Sequence, residues 1–155
     1  MAKSFIGLIC WLDVSLATGW VGSRFSPGEW YAALAKPSWN PPSFVFTPVW
    51  STLYVFMGLA AWLVWRRAGF FGASVALGLF LFQLFLNASW SYLFFGLHRP
   101  DFAFVDIVAL WLVILVNTFA FWRVSMPAGL LMLPYLAWVS FASVLNLQLW
   151  RLNAC

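Results

Sequence analysis

The sequence predicts an all-α integral membrane protein, a five-transmembrane-helix bundle with a short helix in its long first loop. Three observations carry this. Of 155 residues, 65% are hydrophobic and 8% charged, more apolar side chain than a soluble domain of this size can hide. The apolar residues come in unbroken runs near the roughly 20 residues that cross a bilayer as a helix. Finally, the runs lack the apolar–polar alternation of barrel strands, so the spanning segments are helices that satisfy their own backbone hydrogen bonds.

The runs place spans at about 5–22, 48–65, 73–97, 102–122 and 127–150 in a single transmembrane domain, with a loop over 23–47. The first run has Lys3 ahead of it, as a signal peptide would. It is long enough to span and no small-residue cleavage site follows it, so it is expected to stay as a helix. Ser26, Pro27 and Glu29 then form a capping-box pattern. The short helix it predicts runs to about Ala35 and presents Trp30, Tyr31 and Leu34 on one face.

From Lys36 to Trp50 the chain carries Pro37, Pro41, Pro42 and Pro48. Proline fixes φ and disfavours helix in the residue before it, so this stretch is expected to be an extended, stiff cover over one end of the bundle. Arg66 and Arg67 close the second span, and Gly69 and Gly72 mark a turn. The third span is uncharged, and His98 to Asp101 form a turn. Arg123 follows the fourth span, and the fifth opens at Pro127 and closes at Arg151.

Five spans put the two termini on opposite sides, with the first loop on the side of the C-terminus. Basic residues do not orient the bundle. Lys3, Arg66, Arg67 and Arg123 fall on one side, and Arg24, Lys36, Arg99 and Arg151 on the other. Scattered at span edges, they read as interface anchors rather than a nucleic-acid surface. Cys10 and Cys155 have neither metal spacing nor a disulfide pattern, and Cys10 is expected to be a small buried residue.

Twelve tryptophans need a reason. Trp20, Trp62, Trp65, Trp122 and Trp150 sit at span ends, as an aromatic belt requires. Trp90, Trp111 and Trp138 fall inside their spans, where they pack the core or wall a pocket for a flat apolar ligand. Helical periodicity aligns Gln83, Asn87 and Ser91 beside Trp90 and Phe94. It also aligns Tyr135, Trp138, Ala142 and Asn146, Trp50 with Tyr54, and Asp106, Leu110, Val113 and Asn117.

Polar stripes are expected to face the bundle interior. Interhelical hydrogen bonding is the reading for Gln83, Asn117 and Asn146, whereas Asn87 serves that role or a ligand equally well. Asp106 is placed near a helix N-terminus, whose dipole favours an anion. Asp13, in the first span, is either a structural carboxyl or the proton-coupling group of a small transporter of hydrophobic compounds. His98, alone in a turn, reads as solvated. Gly72-x-x-x-Ala76 and Ser74-x-x-x-Gly78 are candidate seats for a neighbouring helix.

Several motifs, in order along nearly the whole chain, resemble one family. They are Val21-Gly22-Ser23-Arg24-Phe25, Trp30-Tyr31, Lys36-Pro37-Ser38-Trp39-x-Pro41-Pro42, Pro48-Val49-Trp50-x-Thr52-Leu53-Tyr54 and Gln83-Leu84-x-Leu86-Asn87. Phe94-Phe95-Gly96, Pro134-Tyr135-Leu136-Ala137-Trp138, Leu145-Asn146 and Trp150-Arg151 follow. The chain is similar to the translocator proteins, also called tryptophan-rich sensory proteins or peripheral-type benzodiazepine receptors.

The resemblance implies a dimeric five-helix bundle in a bacterial cell membrane, or in the mitochondrial outer membrane of a eukaryote. It implies a cavity closed by the first loop, binding tetrapyrroles such as protoporphyrin IX or haem-related compounds, sterols or isoquinoline carboxamides. By position the wall would be Trp39, Trp50, Tyr54, Asn87, Trp90 and Phe94, with Trp138, Ala142 and Leu145, and Gly22, Tyr31 and Pro42 from the loop side.

No cofactor is required, porphyrin or haem being a ligand. Some bacterial members are associated with light-dependent porphyrin breakdown through tryptophans matching Trp50 and Trp138, so enzymatic activity stays open. One departure concerns sterols. The proposed cholesterol motif needs a tyrosine where Leu147 stands, which favours a porphyrin-type ligand.

Overall fold

The structure, a computed structural model, describes residues 2–154. Its helices are α1 (Ala2–Ser23), α2 (Gly28–Ala33), α3 (Ser43–Gly72), α4 (Ser74–Ser91), α5 (Pro100–Val124) and α6 (Met126–Asn153). A π-helical turn, Tyr92–Gly96, extends α4. Five of these are long and apolar enough to cross a membrane. The protein is a multi-pass integral membrane protein built as a five-helix bundle. In cross-section the spans form a closed ring in the order α1, α3, α6, α5, α4, each packed on the next and α4 on α1.

The α1–α3 seam is a run of complementary sizes. Gly7 faces the Trp65 ring, Gly58 faces the Leu12 backbone, and Gly19 faces the Tyr54 ring. Ser15 Oγ donates to the Tyr54 carbonyl at 2.7 Å, and Trp62 Nε1 to the Ser4 carbonyl at 2.8 Å. The small residues singled out in the sequence play a lesser part. A Cβ added at Gly78 meets nothing within 4 Å, and Gly72 lies at the α3–α4 turn. Ala76 is buried, and its carbonyl accepts Asn117 Nδ2 at 2.9 Å, tying α4 to α5.

The expected cover is only half extended. Leu34 to Pro42 carry no helix, but α3 begins at Ser43 and takes Pro48 into its second turn. Pro42 (φ −57°, ψ 144°) is the last residue held extended, and nothing prevents helix after it. Pro48 withholds an N–H from the Phe44 carbonyl. Phe44 is exposed near the helix end, where other donors can serve that carbonyl. At its other end α3 outlasts Arg66 and Arg67 and reaches Gly72, bent at Gly69, whose φ of 67° needs a glycine.

Other local expectations also change. The capping box does not form. Gly28 is left-handed (φ 56°), so the first turn of α2 is irregular, and no cap hydrogen bond is made there. That helix ends at Ala33 rather than Ala35. Cys10 is exposed, because it lies on the outer face of α1, and Cys155 lies outside the described residues. Because α5 starts at Pro100, Asp106 lies beyond the first turn and out of reach of the dipole. Asp101 is the first-turn acid, and it takes Arg99 Nε and Nη2 at 2.9 and 2.6 Å.

The first loop is tied to the far end of the chain. Asn153 Oδ1 accepts the Ala35 N–H and Asn153 Nδ2 donates to the Ala35 carbonyl, both at 2.9 Å. Asn153→Ala removes both bonds, each worth about 1 kcal/mol net. Amide exchange at Ala35 and its neighbours is expected to accelerate several-fold, with the global melting temperature falling by no more than about 4–8 °C. Mass-resolved hydrogen exchange on detergent-solubilised protein reads the first, and thermal unfolding followed by circular dichroism reads the second.

Candidate functional site

Where the loop meets the helices, the bundle encloses a cavity of about 570 Å³. Ten of the twelve residues expected on its wall are there: Gly22, Tyr31, Trp50, Tyr54, Asn87, Trp90, Phe94, Trp138, Ala142 and Leu145. Trp39 and Pro42 are not. Trp39 lies outside, 45% exposed, with its ring edge-on to Phe141 at 5.8 Å. The helical turn gained at Ser43 accounts for the shift, since Ser43, Phe46 and Thr47 of α3 line the space instead.

Apart from Gly22, the wall residues of α1 were not anticipated. Leu16, Gly19, Trp20 and Ser23, spaced three and four apart, present one stripe to the cavity. That spacing was available in the sequence. Trp20 had a belt reading because it ends a span, and at 63% exposure it serves both roles. The exposed wall residues are Leu16, Trp20 and Ser23 of α1, Ser26 and Pro27 of the loop, and Ser43, Thr47 and Ser51 of α3.

A buried hydrogen-bond chain backs the cavity. Tyr54 Oη donates to Asn87 Oδ1 at 2.6 Å, and Asn87 Nδ2 donates to Tyr135 Oη at 2.9 Å. Tyr135 Oη donates on to Gln83 Oε1 at 2.7 Å. This links α3, α4 and α6 through groups that lipid could not satisfy. Trp90 Nε1 donates to Asn146 Oδ1 at 2.9 Å, and Asn146 Nδ2 to the Pro100 carbonyl at 2.8 Å. Trp111 Nε1 is engaged by Ser140 Oγ at 2.7 Å, away from the cavity. The three interior indoles therefore separate. Trp111 is structural, Trp90 is on the wall with its N–H occupied, and Trp138 is on the wall with its N–H buried and unpartnered.

The remaining wall is aromatic. Trp50 stacks on Tyr54 at 5.7 Å, Trp90 on Phe94 at 5.2 Å, and Trp138 packs against Phe46 and Phe141 at 5.9 and 5.4 Å. Trp30 and Tyr31 bring α2 down onto Phe94. Burial raises the Tyr31 pKa, opposed by its hydrogen bond to Asn40 Oδ1 at 3.4 Å. His98 occupies the left-handed position (φ 56°) that closes the π turn, where Arg99 N–H donates to the Leu93 carbonyl at 3.0 Å. Its ring is stacked on Trp30 at 4.4 Å, which steadies both the turn and α2.

Neither ionisable group within the spans is on the wall. Asp106 is partly buried, with Oδ2 unpartnered. Asp13 is exposed on the outer face of α1. A transporter driven by Asp13 would thus have its carboxyl off the path through the cavity.

Sequence comparison accounts for this architecture. A model of the TspO/MBR family matches residues 9–151. The chain belongs to the TspO/MBR family. Among its relatives, the tryptophan-rich protein TspO of Chlorobaculum tepidum is 45% identical over 160 residues, covering 99% of each chain. The human translocator protein is 46% identical over 138 residues, covering 86% of this chain and 82% of the relative. The tryptophan-rich sensory protein of Cereibacter sphaeroides is 39% identical over 132 residues, covering 85% of this chain and 82% of the relative. Membership of the TspO/MBR family supports a membrane sensor or receptor role.

Proposed function

We infer that the protein is a bacterial cell-membrane receptor or sensor that binds a flat, largely apolar ligand of the tetrapyrrole class beneath its first loop. The observation that carries this is Trp138. Its ring packs against Phe46 and Phe141 and lines the cavity, where it offers a face on which a flat ligand would stack. The cavity volume of about 570 Å³ lies in the range that holds one drug-sized ligand. Trp50 and Trp90 present aromatic surface to a planar macrocycle, and Tyr54 and Asn87 add polar atoms. Sterols are a poorer match, given Leu147 in place of the motif tyrosine.

Titration of protoporphyrin IX against intrinsic tryptophan fluorescence tests this. Trp138→Phe shrinks the aromatic surface offered to the ligand, so affinity is expected to fall about fivefold. With Trp50→Phe added, the loss is expected to exceed about 30-fold. Unchanged affinity and quenching in the double variant sink the assignment. Illumination of the complex separates binding from breakdown. Several porphyrins consumed per protein, with tryptophan absorbance intact, indicate catalysis by Trp50 and Trp138, and loss of tryptophan in step with ligand indicates sacrificial chemistry.

A further inference from the structure

The end of the bundle opposite the first loop carries charge of one sign. The start of α1, the α3–α4 turn and the α5–α6 turn lie there, and they bring Lys3, Arg66, Arg67 and Arg123. The four acids of the chain are Asp13, Glu29, Asp101 and Asp106, and none is at that end. The loop end also has four basic residues, but there they are offset. Asp101 pairs with Arg99, Glu29 stands in the first turn of α2, and the Lys36 ammonium is taken by the Ala32 and Leu34 carbonyls at 3.2 and 3.1 Å. Basic residues alone tie the two ends, whereas net charge does not. Among the described residues the only ion pair is Arg99–Asp101, so the four cations of the far end have no acid partner.

Trp62 gathers two of them at one edge. Its Nε1 donates to the Ser4 carbonyl at 2.8 Å, which holds the residue after Lys3 against α3. The Arg66 guanidinium lies over the same indole, 4.4 Å from its centroid. Helical side chains lean toward the N-terminus of their helix, and at the end of α3 that direction points into the bilayer. Arg66 therefore rests on a ring one turn nearer the membrane centre instead of reaching out to water. Arg123 rests on Phe119 in the same way, at 5.8 Å. Both charges are held back at the depth of the headgroups.

The surroundings are apolar. Gly69 bends the end of α3, Phe70 turns back toward Trp11 and Trp65 at 6.1 and 5.9 Å, and Phe71 is left 100% exposed on the turn. Phe5, two residues from Lys3, is 64% exposed. Aromatic rings so placed are costly in water and favoured at the boundary between headgroups and acyl chains. A soluble phosphate would meet the cations and leave these rings uncovered. A phospholipid answers both.

We propose that this end of the bundle is a docking surface for anionic phospholipid. The headgroup phosphate bridges Lys3 and Arg66 beside Trp62, and the acyl chains descend past Phe5 and Ile9 on the exposed face of α1. Arg67 and Arg123 extend the positive surface to further headgroups. Each basic residue close to an anionic leaflet strengthens binding about fivefold. The surface lies at the opposite end from the cavity and does not depend on what the cavity holds.

Native mass spectrometry reads the bound lipid directly, on protein equilibrated in detergent with equal amounts of phosphatidylglycerol and phosphatidylcholine. The wild-type chain is expected to retain phosphatidylglycerol about tenfold or more in preference. Lys3→Gln with Arg66→Gln is expected to reduce that preference to about twofold or less. Arg24→Gln with Arg151→Gln removes the same charge from the loop end and is expected to leave the preference within about twofold of wild type. All four residues are exposed, so both double variants are expected to fold. Arg66→Lys, which keeps the charge, is expected to retain most of the preference. Excess glycerol 3-phosphate is expected to displace no lipid. Equal retention of the two lipids by the wild-type chain, or equal losses from the two double variants, overturns the proposal. Displacement by glycerol 3-phosphate overturns it too, by assigning the cations to a soluble phosphate.

Discussion

Gly58→Val is expected to lower the melting temperature by about 6–12 °C. A Cβ at Gly58 would lie 2.9 Å from the Leu12 Cα and 3.1 Å from the Trp11 carbonyl oxygen. Both are backbone atoms of α1, so no rotamer change relieves the contact, and the helices must separate. Overpacking of this kind costs about 3 kcal/mol, which for a chain of this length gives the stated shift. Separation would also strain the Ser15–Tyr54 and Trp62–Ser4 hydrogen bonds along the same seam. Gly78→Ala is the matched control. Its Cβ meets open space, and alanine is the better helix former, so the midpoint should hold or rise slightly. Thermal unfolding in detergent, followed by circular dichroism, checks the pair. Similar midpoints for Gly58→Val and wild type would mean that α1 does not seat on α3 at this residue.

Asn87→Leu is expected to cost about 2–4 kcal/mol by a different route. The amide is the acceptor for Tyr54 and a donor to Tyr135, and leucine serves neither. Tyr54 Oη is left with no acceptor at a site 7% exposed, while Tyr135 keeps its bond to Gln83. A buried donor without a partner costs about 1–3 kcal/mol, and repacking around a branched side chain adds to it. Adding Tyr54→Phe removes the orphaned hydroxyl. The double variant should therefore be more stable than the sum of the single losses by about 1 kcal/mol or more. Strict additivity would show that the two side chains are not coupled. Both residues line the cavity, so porphyrin affinity should fall along with stability in Asn87→Leu.

Much of this was legible in the chain. Continuous apolar runs locate the spans because a bilayer imposes length and composition on each helix separately. The stripe Gln83–Asn87 beside Trp90 and Phe94 could be placed on one face because helical period is a local property. Local signals failed where two adjacent rules competed. Pro48 suggested a helix start, yet Pro42 is the last residue that must be extended. The capping box at Ser26 was overridden by the left-handed Gly28.

What the sequence by itself determined is the number of spans, that the first loop lies at the same end of the bundle as the C-terminus, and the residues each helix can offer to a common interior. Those follow from hydrophobicity and the 3.6-residue period, which act within one helix. Which atoms meet was decided only by the tertiary structure. Asn87 finds Tyr54 and Tyr135 at separations of 33 and 48 residues, Asn153 takes hold of Ala35 across 118, and Trp138 alone of the interior indoles keeps an unpartnered N–H. No periodicity encodes those pairings, because they depend on the order in which the five helices close their ring and on the depth at which each side chain sits.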